Sequence, residues 1–472
     1  MTRLTWPSPG LEARFYFQEA IVEELLIETT LEHVRAALED GKVDEAIAAL
    51  TALHPADRAE AFSDLPPDDQ EEILPRLNTQ TAADLLEELE DDEAAEAAGH
   101  LSAETLADVL DEMKPDEAAD ILGDLPPEQA ASALAQMEDA DEVIPLLAHP
   151  DDTAGGLMTS AFYALRRQTT AQMAIDFLRT QRPDAESPYY LYVVDRLNRL
   201  SGVVALRDLI VAPPETPVES IMRPNVISVP VGTDQEEVAQ LMRHYNLLAV
   251  PVVDREGKLI GVINHNDIVN VIEEEATEDI YRLANVADGD LQVWSPLSLS
   301  IRRRLPWLYV NLLTAFLAAW VISQFEATIA RLAVLAVFQS IVAGEGGNAG
   351  TQTLAIMVRG LALDEIEFRD VWRALLRETG IGLMHGVAVG IAVAIAAWLW
   401  RGIPVLGLVI GLAMAGNLVA AGIAGTLVPL TLKAFKLDPA LASAVLVTTV
   451  TDCVGFGLFL GLATLFLPYL TT

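Results

Sequence analysis

The sequence has little of what most protein chemistry uses. It holds one cysteine, Cys453, in 472 residues, so no intrachain disulfide forms and Cys453 reads as a small apolar residue. Its seven histidines show no metal-ligand spacing. No nucleophile elbow and no phosphate-binding loop is present, so no catalytic constellation points to an enzyme. Positive charge is scarce: 30 Lys and Arg stand against 69 Asp and Glu, a net −39. That balance argues against nucleic acid as a partner and favours cations, or at its plainest keeps the chain soluble. The first 40 residues lack an apolar core of signal-peptide length, so no secretory leader is expected.

The charge is divided unevenly along the chain. Residues 1–301 hold 60 of the 69 acids and 19 of the 30 bases, a net −41, whereas residues 302–472 carry +2 and the long apolar runs. The length suffices for several domains. Over residues 1–150 a 12-residue spacing runs through Leu53, Leu65, Leu77, Leu89, Leu101, Met113, Leu125 and Met137, with a second series at Leu74, Leu86, Ala98, Leu110, Leu122, Leu134 and Leu146. Prolines, Asn78 and Ser102 punctuate it at helix-starting positions. Each unit is one turn and a helix of about two turns, too short to stand alone, so the units must stack into an all-α superhelical array. Glu87, Glu88 and the run from Glu90 to Glu93 crowd outward positions. A solvated face accounts for most such acids; the sharper expectation is an array packed on a second domain through bridging cations.

Residues 151–275 repeat one α/β unit. Met158-Thr159 and Met222-Arg223 open the copies, each followed by a strand (Phe162 to Leu165; Val226 to Val229), a helix started by Thr, and two more strands. Asp195 and Asp254 are 59 residues apart, as are Asp208 and Asp267. The paired pattern resembles tandem cystathionine-β-synthase-type (CBS) domains, at 151–214 and 215–270. Such pairs often bind adenosine nucleotides such as ATP, with Ser or Thr three residues before the Asp. Ala205 and Asn264 stand there instead, so a nucleotide and a ligand-free scaffold both stay open. Residues 264–300 form a connecting segment, helical from Asp267 to Ala284. Glu275, Glu278 and Asp279 share one face of it by i, i+3 and i+4 spacing, an arrangement of like charges that arginines, water or a divalent ion would relieve.

Residues 301–472 contain five candidate membrane spans: Leu305–Phe325, Ile329–Val358, Gly380–Trp400, Pro404–Leu432 and Pro439–Leu470. Nine bases flank the side shared with the soluble half and only Arg331 and Arg401 the other, so residues 1–301 are expected in the cytoplasm and the C-terminus outside. The second span carries Gly346, Gly347 and Asn348, the fourth Asn417, and the last Thr448 and Thr449; these are the pore-lining candidates. Asp452 is the carboxylate deep in the last span. Counted from Pro439 it lies about 20 Å along the helix, where burying it costs at least ~2.5 kcal/mol unless it faces water or a bundle interior. The competing role for Asp452 is helix packing.

An acidic helical domain, a CBS pair and five spans together resemble the MgtE family of magnesium channels over nearly the whole chain. The resemblance rests on Gly346-Gly347-Asn348-Ala349-Gly350, the acidic run Ile272 to Ile280, and Thr448-Thr449-Val450-Thr451-Asp452. It implies a multi-pass homodimer of the plasma membrane (the bacterial inner membrane) that takes up magnesium and is closed by cytosolic magnesium. It implies Asp452 as the pore carboxylate, residues 264–300 as a gating or plug helix, and Asp234, Glu236, Asp267, Glu275, Glu278, Asp279 and Asp438 as magnesium-sensing acids. Asn246 and Asn270 stand where the family often has Asp, and Val445 where it often has Pro. The alternatives are a secondary transporter of divalent cations (magnesium, cobalt, manganese) and a nucleotide-regulated membrane sensor.

Overall fold

The computed structural model describes residues 27, 29–181, 190–286, 291, 293, 295–363, 365–366, 368–441 and 443–470. Residues 1–26 of the expected N-terminal domain, and 287–290, 292 and 294 of the expected connecting segment, lie outside the described residues. The chain divides into two compact units, Met1–Ile272 and Glu273–Thr472.

In the first unit the short-period repeat is a stack of short helices. Eight of them, from Val43–Thr51 to Pro127–Leu134, are 7 to 10 residues long. Their starts are written in the sequence. Pro55, Pro67, Pro115 and Pro127 occupy the first turn, where a missing N–H costs nothing. The Asn78 and Ser102 side chains accept the N–H groups of Thr81 and Thr105, closing two otherwise open helix ends. From Pro55 onward the helices pack chiefly on the next but one. Of the 12-residue series, Leu53, Leu65, Leu101, Met113, Leu125 and Met137 are buried, and Leu77 and Leu89 pack on the same core. Leu74, Leu86, Ala98, Leu110, Leu122 and Leu146 of the second series are buried too, with Leu134 at their edge. Short helices are stable here because the apolar face of each is covered by its neighbours.

The two α/β copies match at the level of strand register. Each sheet has three strands: β1 Ala164–Arg166, β2 Tyr190–Val194 and β3 Leu200–Ala205, then β4 Val229–Pro230, β5 Ala249–Val253 and β6 Leu259–Asn264. The first two strands of each sheet are parallel and the last two antiparallel, with Tyr190 opposite Ala205 and Ala249 opposite Asn264. Both hairpins carry their irregularity at one place, Val193/Val194 and Val252/Val253. Asp195 Oδ1 accepts the N–H groups of Leu197 and Arg199, and Asp254 Oδ1 those of Glu256 and Lys258. The left-handed residue of the turn is Asn198 in one copy and Gly257 in the other, the two residue types that tolerate it. The opening segments are exchanged: Thr159 pairs with Val262 of the second copy, and Arg223 with Val203 of the first. Each exchange seats a methionine on a glycine, Met158 over Gly261 and Met222 over Gly202, where a Cβ would fall 2.5 Å and 2.7 Å from sulfur. β1 and β4 begin two and three residues later than the sequence pattern indicates, because these exchanged segments precede them.

The second unit is helical. Among the described residues, four helices are long and apolar enough to cross a membrane: Leu297–Ser323, Val371–Arg401, Pro404–Ala434 and Ala444–Leu465. The expected second span is the 29-residue helix Val334–Ala362, in which the run Gly344–Gln352 dilutes the apolar character. The last long helix starts at Ser443 rather than Pro439. Asp438 accepts the Ala440 N–H and makes the preceding segment a turn, so Asp452 lies nine residues in, about 14 Å along the helix. Helices Val371–Arg401 and Pro404–Ala434 meet along glycines. A Cβ at Gly386 would come within 2.8 Å of the Ala415 backbone, and one at Gly390 within 2.7 Å of the Gly411 carbonyl. Contact this close supplies the dispersion that holds helices together where lipid removes the hydrophobic drive. Gly386→Val should therefore push the pair apart, at about 1–3 kcal/mol of overpacking. The check is the thermal unfolding midpoint of detergent-purified protein, which should drop; an unchanged midpoint would show that the contact is loose.

Candidate functional site

Asp452 is half-buried on the last long helix, and among the described residues no Lys, Arg or His pairs with it. Thr448 and Thr449 stand one turn before it, on the same face by i, i+3 and i+4 spacing. Their hydroxyls donate to the helix's own carbonyls, Thr448 Oγ1 to Ala444 O (2.9 Å) and Thr449 Oγ1 to Val445 O (2.5 Å). Both oxygens are thereby left as acceptors, as the Asp452 carboxylate is. A row of acceptors suits a cation that arrives with its water, because coordinated water donates outward. Gly347 lies against Thr448, and Gly350 faces Val447 and Thr451. Asn348 is exposed.

Asn417 is placed differently from the other pore-lining candidates. It is fully buried, and its amide is wedged between Gly346 and Gly455, neither of which has room for a Cβ. Nδ2 donates to Val342 O at 2.8 Å, while Oδ1 has no partner among the described residues. The structure makes Asn417 and Gly346 a three-helix clamp that fixes the glycine-rich helix against the helix of Asp452. An 80 Å³ cavity nearby is lined by Thr353, Glu378 and His385.

A second set of acids gathers at the end of the helix His265–Leu283, which runs from the first unit into the second. Glu275, Glu278 and Asp279 stand on it with Asp438, from the turn before the last long helix. Burial pushes the Asp279 carboxyl up to about 6, and the Asp438 charge adds to the rise. Burial also raises Glu278, against the pull of Arg282. Arg282 binds Glu278 and Asp438 together, one guanidinium nitrogen to each.

A third set joins the helical repeat to the second α/β copy, within the first unit. Asp116 is 7% exposed, and one of its oxygens is buried without a partner among the described residues. Burial raises its carboxyl, with the Thr159 hydroxyl and Lys114 drawing it part of the way back. Beside it burial lifts Glu117 to about 9, Asp120 to about 8 and Asp267 to about 6, and neighbouring carboxylates add to each. Asp91 rises for the same two reasons, burial first and then Asp124. Asp267, anticipated from the sequence, is thus brought to Asp116, which was not: their positions differ by about 150 residues. Asp234 and Glu236 have local partners. Asp234 caps its helix by accepting the Glu236 N–H at 3.0 Å, and Glu236 accepts from Gln240 at 3.1 Å. Asn246 ends that helix in the left-handed conformation, which an Asn tolerates well.

These donors are all oxygen and mostly carboxylate, which suits a hard cation, and the orphaned Asp116 oxygen is an unmet demand for one. Among the described residues no three Asp, Glu, His or Cys side chains converge closely enough to hold a bare metal ion.

Comparison with known proteins places the chain among cation transporters. The chain matches a divalent cation transporter family, MgtE, over residues 339–462, the MgtE intracellular N domain over 53–152, and CBS domains over 154–215 and 218–274. It is 40% identical over 329 residues to the magnesium transporter MgtE of Thermus thermophilus, covering 69% of this chain and 72% of that one. It is also 40% identical over 332 residues to the magnesium transporter MgtE of Enterococcus faecalis, covering 70% and 73%. A crystal structure of the soluble part of a magnesium transporter aligns with TM-score 0.48 and 36% identity over 53% of this chain and 99% of that one.

The raised carboxyls fix a pH dependence. In the unfolded chain they titrate near pH 4; folded, Asp267, Asp120 and Glu117 hold their protons to about 6, 8 and 9. Across that window the folded chain binds more protons, so each rise in pH lowers stability. With a chelator present, the unfolding midpoint of the N-terminal region should fall between about pH 5.5 and 8.5, and fall less in Glu117→Gln/Asp120→Asn. Equal losses in both proteins would contradict the assignment.

Proposed function

This chain belongs to the MgtE family of divalent cation transporters, and we propose that it is a magnesium channel whose soluble half senses magnesium and closes it. The observation that carries this reading is Asp452. A half-buried carboxylate in an apolar helix is costly to keep, and this one has acceptor oxygens beside it and no cation paired to it among the described residues. Magnesium sheds water reluctantly and is held through one or two carboxylates and its retained waters. One Asp452 from each of two subunits, facing across a two-fold axis, would supply that and repel anions. The proposal includes the homodimer, five spans with Val334–Ala362 as the second, residues 1–301 in the cytoplasm of a bacterial inner membrane and the C-terminus outside.

The cytosolic part of the reading rests on the two acidic clusters. Empty, the cluster of Asp116, Glu117, Asp120 and Asp267 relieves its mutual repulsion by holding protons, while Glu275 and Asp279 crowd the Arg282-bridged pair of Glu278 and Asp438. A divalent ion bound between them favours the compact arrangement and, through the helix His265–Leu283, the closed pore. Binding energy then supplies the coupling, in a negative feedback. The domain division of the proposal is 1–150, 151–214, 215–270, 264–300 and 301–472. Asp234 and Glu236 remain sensing candidates at the start of their helix. The CBS pair either takes an adenosine nucleotide or acts as a ligand-free scaffold; in the second copy Asp267 accepts the Asn264 N–H at 3.0 Å. Gly347, Thr448 and Thr449 line the ion path, with Asn348.

Asp452→Ala should abolish magnesium uptake into proteoliposomes while the purified variant still elutes as a folded dimer. Uptake at the wild-type rate would remove Asp452 from the pore.

A further inference from the structure

The contact between the helix His265–Leu283 and the turn before the last long helix already contains a cation. Arg282 donates one guanidinium nitrogen to Glu278 Oε1 and another to Asp438 Oδ2. The three side chains are 30%, 26% and 25% exposed, so the bridge is partly withdrawn from water and salt screens it less than a surface pair. Both ends are anchored. The other Asp438 oxygen accepts the Ala440 N–H at 2.7 Å. Leu283, next to Arg282, packs on the cluster of Leu354, Val358, Ala424, Ala440 and Val447. Tyr281, on the other side, donates to Leu291 O at 2.5 Å.

We propose that Arg282 is a tethered competitor of magnesium: its guanidinium holds the place between Glu278 and Asp438 that a divalent ion takes on closure, and so sets how much magnesium closes the pore. The inference rests on the closure reading above. A guanidinium stays charged at any working pH, so it leaves this place only by being displaced. With Arg282 in position, an incoming ion meets one more positive charge between Glu278 and Asp438, and its affinity falls accordingly. The contrary role is a clasp that holds the helix down by itself. A clasp sufficient for closure would shut the pore at every magnesium level and leave the sensing acids without effect. Asp279 stands beside the bridge with its carboxyl raised by burial first and then by the Asp438 charge, so negative charge is concentrated where a stronger cation would bind.

The test compares wild type, Arg282→Gln and Arg282→Lys as full-length protein in proteoliposomes. Uptake is read against magnesium chloride on the face bearing the soluble half, each curve normalised to its own uptake at the lowest concentration. Arg282→Gln should lower the half-inhibiting concentration by about three-fold or more, and Arg282→Lys should stay near wild type because the charge is kept. Calorimetric magnesium binding to the same detergent-purified proteins should show tighter binding in Arg282→Gln, which keeps the test sound if that variant transports poorly. Inhibition of wild type with an unshifted or raised midpoint in Arg282→Gln overturns the competitor role alone. A wild type indifferent to magnesium on that face overturns the closure reading and the competitor with it.

Discussion

Carboxylates packed against carboxylates are the constraint on which the rest of this molecule depends. Residues 1–301 carry −41, and much of that charge is placed where it cannot be ignored. Asp116 is buried with an oxygen unpartnered among the described residues, and Glu117, Asp120 and Asp267 keep their protons far above the usual range. A chain selected only for solubility would leave such groups in water, where screening makes their repulsion negligible beyond about 8 Å. Holding them together without enough cations keeps the fold short of its most stable state until one arrives. In the proposed gating, this instability is what makes the soluble half responsive.

The membrane half is built the opposite way, for rigidity. Gly382, Gly386, Gly390, Gly407 and Gly411 bring two helices to backbone contact, and the Asn417 amide locks Gly346 and Gly455 around itself. These contacts leave little freedom to the helix that bears Asp452. The helix His265–Leu283 has its last turn tied to Asp438 through Arg282. In the proposed gating, a charge change there is passed to these closely packed helices, which is the requirement for coupling two sites.

Much of this was legible in the sequence, for definite reasons. The 12-residue series marks the buried face of the helical repeat because each stacked unit must bury the same positions. The 59-residue offset from Asp195 to Asp254 holds through strand register, irregularity and turn, because both residues organise the same hairpin with their side chains. Asp279, Glu278 and Glu275 were legible as one face because helical spacing is local. What was hidden depends on contacts distant in sequence. Nothing near Asp116 indicates Thr159 or Asp267, and nothing near Arg282 indicates Asp438, 156 residues away. Asn417 looked like a pore residue because polar side chains in membrane helices usually serve transport; its clamp role needs the two glycines that only folding brings to it. The last helix starts four residues later than the apolar run indicates, since Asp438 turns the chain where the run alone shows no stop, and it ends at Leu465, with Leu467–Leu470 a separate short helix.

The central claim is that magnesium on the side of the soluble half closes a pore through the membrane half. The most direct measurement is current through the purified protein in planar bilayers, with magnesium chloride titrated on each side separately. The account predicts current that falls as magnesium rises into the millimolar range on the soluble-half side, and no such closure from the other side. Current indifferent to magnesium on the soluble-half side would contradict it.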